Sequence, residues 1–199
     1  MSAGASLTPV SGLPSRIKAD ELSLIKHQID RKLNAPLTSS CGRLFDAVAA
    51  LIGIRDRVDY EAQAAIELEM VSTDFVQSEI ICYPLDIDDH GEIKIIRLGR
   101  LFDAILQDVK NGYRRDEIAY RFHAALAMMI AGLCETLSRE TGIKTVALSG
   151  GVFQNRLLFH LALEALKEKN LYVLTHKQVP ANDGGIALGQ AAIAAYARL

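Results

Sequence analysis

Cysteine is scarce in this chain. Cys41, Cys82 and Cys134 are too few and too widely spaced for a disulfide frame, and no Cys-x-x-Cys brings two together. Reduced thiols fit that pattern, and a zinc knuckle does not. Histidine offers a metal no more: His27, His90, His123, His160 and His176 show neither H-x-x-x-H nor H-E-x-x-H spacing, so no pair reaches one ion from one helix face. An excess of charge of one sign is also missing. Twenty-two Lys and Arg against 24 Asp and Glu leave a net charge of −2, so no polyanion partner is expected, nucleic acid included. The longest apolar stretch, "FHAALAMMIAGLCETL", is interrupted by His123 and ends in charged residues, short of a membrane span. No charged-then-apolar secretory signal opens the chain, and a cytoplasmic location without a membrane partner is expected. Neither a G-x-S-x-G elbow nor a Walker loop occurs, so two common nucleophile and phosphate devices are excluded.

What is there is a hydrophobic half and a clear alternation of elements. Half of the 199 residues are hydrophobic, enough for a core. Residues 1–20 open on small, polar and proline-bearing sequence and read as a flexible leader, with a single lobe over 21–199. Asp20 to Leu33 suits a short helix. In "LTSSCGRLFDAVAALIGI", Thr38, Ser39 and Ser40 are cap candidates and Leu44, Val48, Leu51 and Ile52 an apolar face. "DYEAQAAIELEMVST" is a second helical stretch. Two strands joined by a turn at Asp88 to Gly91 are then expected in "IICYPLDIDDHGEIKIIRL". A long helix from about Arg114 to Glu140 follows, with Ile118, Phe122, Leu126, Met129, Leu133 and Leu137 at spacings of three and four, ending at Gly142. Strand Thr145 to Leu148, helix Asn155 to Lys169, strand Leu171 to Leu174 and a last helix from about Gly184 make a βαβα tail with a parallel strand pair. "GRLFDA" occurs twice, at Gly42 and at Gly99, and reads as two similar helix starts rather than a repeat unit.

Two glycine turns follow the strands of that tail. In "VALSGGVFQNRLL", Gly150 and Gly151 allow positive φ and close approach of another molecule, and the helix opening at Asn155 adds N–H groups and a positive dipole end. In "VPANDGGIALGQAAIAA", Asn182 and Asp183 precede Gly184 and Gly185, and Asp183 is also a candidate cap for the last helix. Each Gly-Gly pair alone is more commonly a tight turn with no ligand. Two of them at one sheet edge, where open α/β sheets bind ligands, are more suggestive. His176, just before the second turn, is the best functional candidate of the histidines, while His123 reads as a packing residue on an apolar helix face. Cys41 follows two serines at a helix start, a place that lowers a thiol pKa; a small packed residue is the commoner reading.

Taken together, "TSSCGRLFDAVAALIGI", "YEAQAAIELE", "VALSGGVFQNRLL" and "HKQVPANDGGIALGQAA" resemble the C-terminal part of the hydrogenase maturation carbamoyltransferases of the HypF type over about Leu37 to Ala195. The resemblance implies an α/β fold: one helix-rich lobe of an actin and sugar-kinase-like (ribonuclease H-like) architecture, related to the tRNA threonylcarbamoyladenosine synthases. It implies ATP or carbamoyl-adenylate as ligand, with Asp46 on the ribose and Gln63, Gly150, Gly151, Asn155 and Gly184 around the nucleotide. Asp183 would be one ligand of an incomplete metal site, a divalent cation being held only if further ligands are supplied. The partners implied are a HypE-like acceptor, whose C-terminal cysteine receives the carbamoyl group, and the other lobe and portions of HypF. A non-catalytic nucleotide- or HypE-binding module is the alternative, and a tRNA-modification component a third reading. Arg43 stands where the tRNA enzymes usually carry an acidic residue, and Ala62 where both groups usually have glycine. The chain is expected to be incomplete as an enzyme on its own and to self-associate through the apolar face that meets its missing lobe.

Overall fold

The three- and four-residue spacing that ends at Gly142 builds the central element of the protein. In a computed structural model, which describes residues 18–73, 75, 81–91 and 93–197, helix α5 runs Arg115–Thr141. Gly142 closes it at φ +75, donating its N–H to the Ser138 carbonyl. Its first half is the buried half: Ile118, Phe122 and Leu126 are inaccessible or nearly so, whereas Leu137 is exposed. By length and composition α5 is able to cross a membrane, contrary to the reading above; half of its apolar stretch is buried here among neighbouring elements.

Around α5 stand α2 (Cys41–Leu51), α3 (Gln63–Ser72), α4 (Gly99–Lys110) and α6 (Arg156–Glu168). Phe45 and Val48 from α2, Leu68 from α3, Leu101 and Ile105 from α4, and Leu158 and Ala162 from α6 complete one core with Phe122. Ser40 caps α2, its Oγ accepting from the Arg43 N–H at 3.4 Å. Helix α1 (Ala19–Arg31) buries none of its residues. Between α4 and α5, Arg121 donates to Asp108 at 2.9 Å and pairs with Glu117, and the Tyr83 hydroxyl donates to the same Asp108 oxygen at 2.7 Å. These bonds hold the segment before β1 against the bundle.

Strands β1 (Asp86–His90) and β2 (Ile93–Arg97) form an antiparallel hairpin, with Asp86 opposite Arg97 and His90 opposite Ile93. The turn comes later than the sequence suggests. Asp88 and Asp89 stay in the strand because charge pairs across the hairpin hold them there, Arg97 to Asp88 at 2.5 Å and Lys94 to Asp89 at 2.8 Å. Lys94 also reaches Glu140 on α5 at 3.0 Å.

The βαβα tail is as expected. Strands β3 (Thr145–Leu148) and β4 (Tyr172–Thr175) pair in parallel, Thr145 opposite Tyr172 and Leu148 opposite Thr175, with α6 as the crossover. Strand alternation points Val146, Leu148 and Val173 at a small second core with Ala131, Ala165 and Leu166. The other face carries Thr145, Ala147, Tyr172 and Leu174, all exposed. Helix α7 (Ile186–Tyr196) follows and buries none of its residues. Of the expected leader, residues 1–17 lie outside the described residues.

Candidate functional site

Four segments meet at the edge of the β3–β4 pair: the start of α2, the approach to and first turns of α3, the loop between β3 and α6, and the loop before α7. The two glycine turns touch directly, the Gly150 N–H donating to the Ala181 carbonyl at 2.8 Å. Between the segments opens a cleft of about 710 Å³ whose walls include Asp46, Ala62, Glu69, Gly151, Asn155 and Asp183.

The glycines serve two different ends. Gly150 has φ +101, a backbone region closed to other residues, and has open space where a Cβ would stand. Gly184 and Gly185 are not left-handed. A Cβ on Gly184 would come within 3.1 Å of both Asn182 Oδ1 and Pro180 Cγ, and one on Gly185 within 3.1 Å of the Pro180 carbonyl oxygen. These two are glycines because the loop folds tightly upon itself, and Gly184 does not line the cleft. Asn182, not Asp183, caps this turn, its Oδ1 accepting from the Gly184 N–H at 3.1 Å. That leaves the Asp183 carboxylate on the cleft wall.

The start of α6 is already occupied from within. Glu69 Oε1 accepts from the Arg156 N–H at 2.7 Å and the Leu157 N–H at 3.3 Å; Asn155 Oδ1 accepts from the Leu158 N–H at 2.8 Å; the Asn155 N–H itself donates to the Val152 carbonyl at 3.1 Å. All four orphan donors of the helix are therefore satisfied. The expectation that this helix start offers free N–H groups to an anion is corrected: a carboxylate 87 residues away sits there. No local pattern announces such a contact, so the sequence reading missed Glu69.

Asn155 is held at its other end too. Its Nδ2 lies 2.9 Å from Nε2 of His123, a fully buried residue whose Nδ1 lies 2.7 Å from the Ala119 carbonyl oxygen. Burial between the Phe45 and Phe122 rings pushes the imidazole down to about 4, so it is neutral at ordinary pH.

Gln63 is not brought to the cleft. It is 6 % exposed, accepting from the Asp59 N–H at 2.7 Å and donating to Glu67 at 3.0 Å, while Glu67 takes a two-pronged bond from Arg55. The cause lies one residue earlier. Ala62 stands at φ +62 and turns the chain into α3, directing the next side chain inward. Asp46 does line the cleft, paired with Arg43 at 3.1 Å, whereas Asp103 of the second GRLFDA does not. His176 faces a neighbouring groove of about 380 Å³, its Nε2 2.9 Å from Ser149 Oγ. Burial raises the Cys41 thiol pKa, so the helix start does not make it a thiolate.

Asp46, Glu61, Glu69 and Asp183 thus face the cleft against Arg43. Asp183 has too few companions for a cation: among the described residues, no three His, Cys, Asp or Glu side chains come together to hold a metal ion. The residues here do not by themselves fit a bound metal.

Residues 4–190 match a family model described as the carbamoyltransferase, Kae1-like domain, second subdomain. The chain belongs to the HypF carbamoyltransferase family. Carbamoyltransferase HypF of Synechocystis is 36 % identical over 176 residues, covering 88 % of this chain and 22 % of that protein. The HypF of Rhodobacter capsulatus is 38 % identical over 165 residues, covering 82 % and 20 %. A crystal structure of full-length HypF in the phosphate- and nucleotide-bound form superposes with a TM-score of 0.83 at 40 % identity, over 89 % of this chain and 23 % of that one. The HypF fold of this chain is thus a lobe of the actin-like kind, helix-rich and α/β. The chain spans about a fifth of the length of the HypF relatives it matches.

Proposed function

We propose that this HypF subdomain supplies the nucleoside side of a site for ATP or carbamoyl-adenylate, and that it works within a HypF-type transfer of a carbamoyl group to the C-terminal cysteine of a HypE-like acceptor. One observation carries the reading. Asp46, Gly151, Asn155 and Asp183 come from segments up to 137 residues apart and wall a single cleft. The nucleotide bound to the full-length relative supports the same reading.

The chemistry of the walls narrows it further. Carboxylates outnumber cations four to one there, and the N–H groups at the start of α6 are spent. Such a wall accepts hydrogen bonds from hydroxyls and repels bare phosphate. Ribose hydroxyls suit Asp46 or Glu61, and Ala65, Ile66 and Val152 offer an apolar seat for a base. Phosphates fall to residues outside this chain, and a cation that accompanies them needs ligands from there beside Asp183. The protein's contribution to catalysis is placement of the adenylate.

The exposed face of β3–β4 and the bare α7 support a working partner, the first subdomain of the same kind of domain. Alone, the chain is expected to self-associate.

Calorimetric titration tests the nucleoside reading, with adenosine, AMP and ATP with magnesium as ligands. Adenosine and AMP are expected to bind about as tightly as ATP, and Asp46→Ala and Asn155→Ala are each expected to weaken all three. Inorganic triphosphate binding as well as AMP, or AMP affinity unmoved by either substitution, overturns it. A non-catalytic HypE-docking module is the reading left if no nucleotide binds.

A further inference from the structure

Asn155 sits at the join of two polar bonds whose directions are fixed by backbone groups. At one end the Leu158 N–H can only donate, so the atom 2.8 Å from it must be the amide oxygen. At the other end the Ala119 carbonyl can only accept, so His123 Nδ1, 2.7 Å away, must carry the ring proton. His123 Nε2 is then a bare lone pair, and the atom facing it at 2.9 Å must be the Asn155 NH₂. Flipping the amide would set an oxygen against a lone pair and an NH₂ against an N–H. Only one orientation survives, and each bond in the chain enforces the next.

Capping α6 does not require this. An Oδ1 or a serine hydroxyl caps a helix as well, and a leucine in place of His123 would fill the space between Phe45 and Phe122. Placing an imidazole at zero exposure in an apolar core is costly unless both nitrogens are bonded, as they are here. What the imidazole adds is control over rotation of the Asn155 amide. Of that amide's two N–H groups and two oxygen lone pairs, one of each is used. The others remain on a side chain that lines the cleft.

We infer that His123 is a positioning residue of the cleft: through Nε2 it fixes the Asn155 amide so that one defined N–H is presented to the ligand. This rests on the nucleotide reading above and deepens it. Other donors share the wall, among them Arg43 and the amides of Gln154 and Asn182, but the Asn155 N–H is the one held at both ends, and it recognises an acceptor atom on the ligand, a ring nitrogen or carbonyl oxygen of a nucleoside.

The test uses the 199-residue chain, with AMP as probe and three substitutions: His123→Leu removes the acceptor, His123→Gln restores one, and Asn155→Ser keeps a cap but loses the amide. His123→Leu and Asn155→Ser should each weaken AMP binding about fivefold, the equivalent of one neutral hydrogen bond. The double variant should be no worse than either single one, and His123→Gln should recover most of the loss. Wild-type affinity in His123→Leu, or losses that multiply in the double variant, overturn the inference. If AMP fails to bind even the wild type, the nucleotide reading falls and nitrogen NMR still decides the positioning. His123 should be protonated at Nδ1 and bare at Nε2. The Asn155 side-chain amide should be protected from exchange in wild type and unprotected in His123→Leu, with the Leu158 amide still protected in both. The opposite tautomer, or an Asn155 amide indifferent to His123, overturns it.

Discussion

Replacing Glu69 with alanine should loosen α6 from α3 and at the same time create an anion site that the protein now lacks. Glu69 Oε1 takes two N–H groups at the start of α6, at 2.7 and 3.3 Å. Hydrogen bonds to a charged group contribute about 1.5–3 kcal/mol when well buried, and a carboxylate at a helix N-terminus adds about 0.3–1 kcal/mol. Here the second bond is long and Arg156 is exposed, so water replaces much of what is lost. A cost of about 1–2 kcal/mol is therefore expected, a fall in Tm of roughly 3–6 °C for a chain of this size. Glu69→Gln keeps an acceptor and loses the charge, and should recover about half. Thermal unfolding followed by circular dichroism measures both, and hydrogen exchange at the Arg156 and Leu157 amides localises the effect. With those donors freed, Glu69→Ala should bind sulfate or phosphate more tightly than the wild type does. An alanine variant with unchanged Tm and unchanged exchange at both amides would show that the carboxylate does not hold the helix. Equal phosphate binding in both proteins would show that it does not block the site.

Ala62→Gly should raise stability by about 0.5–1 kcal/mol. A left-handed alanine costs roughly 1–2 kcal/mol, and glycine gives back about 0.4–1 kcal/mol through its freer unfolded chain. The check is a Tm about 2 °C higher, and a lower Tm refutes the strain. His123 predicts a pH dependence. Its pKa is about 4 folded against 6.5 unfolded, so the unfolded chain binds the extra proton between those values. The contribution is complete above pH 6.5 and is lost as pH falls towards 4, about 3 kcal/mol in all. The groups in contact with the imidazole, the Phe45 and Phe122 rings, the Ala119 carbonyl and the Asn155 amide, do not titrate. Denaturant unfolding across that range should show a slope that His123→Leu flattens, and an equal slope in both proteins would refute the assignment.

The parts of this fold that are legible in the sequence are those decided locally. The parallel pair follows from the alternation of strand and helix after Gly142, and the α6 cap from Asn155 ahead of an apolar period. Asp46 and Asn155 were legible only through long motifs, since an aspartate within a helix and an asparagine at its start are ordinary by themselves. Illegible were the contacts made across the fold. Glu69 on the start of α6 depends on how α3 and α6 pack. Gln63 is placed around the nucleotide by the resemblance alone, and the left-handed Ala62 turns it inward to the Arg55–Glu67 pair. The turn between β1 and β2 was displaced for the same reason: Asp88 and Asp89 are turn-formers until Arg97, diagonally across the hairpin, and Lys94, directly opposite, pair with them.

The way the helices are capped also explains what kind of ligand the cleft suits. Ser40, Asn155 and Asn182 all lie on its wall, and each spends an oxygen on a backbone N–H of the element it precedes. A cleft formed where several helices begin would ordinarily be rich in free donors and positive dipole ends, hence a phosphate site. Capping by side chains reverses that character. The backbone donors at the start of α6 are consumed, and what remains facing the cavity is four carboxylates beside Arg43 and the side-chain amides of Gln154, Asn155 and Asn182. A ligand that donates through hydroxyls and accepts at one atom satisfies such a wall, whereas a triphosphate does not. On this ground the proposed division of labour within a HypF-type site, with this subdomain reading the nucleoside and the charge of the phosphates met elsewhere, rests on local chemistry.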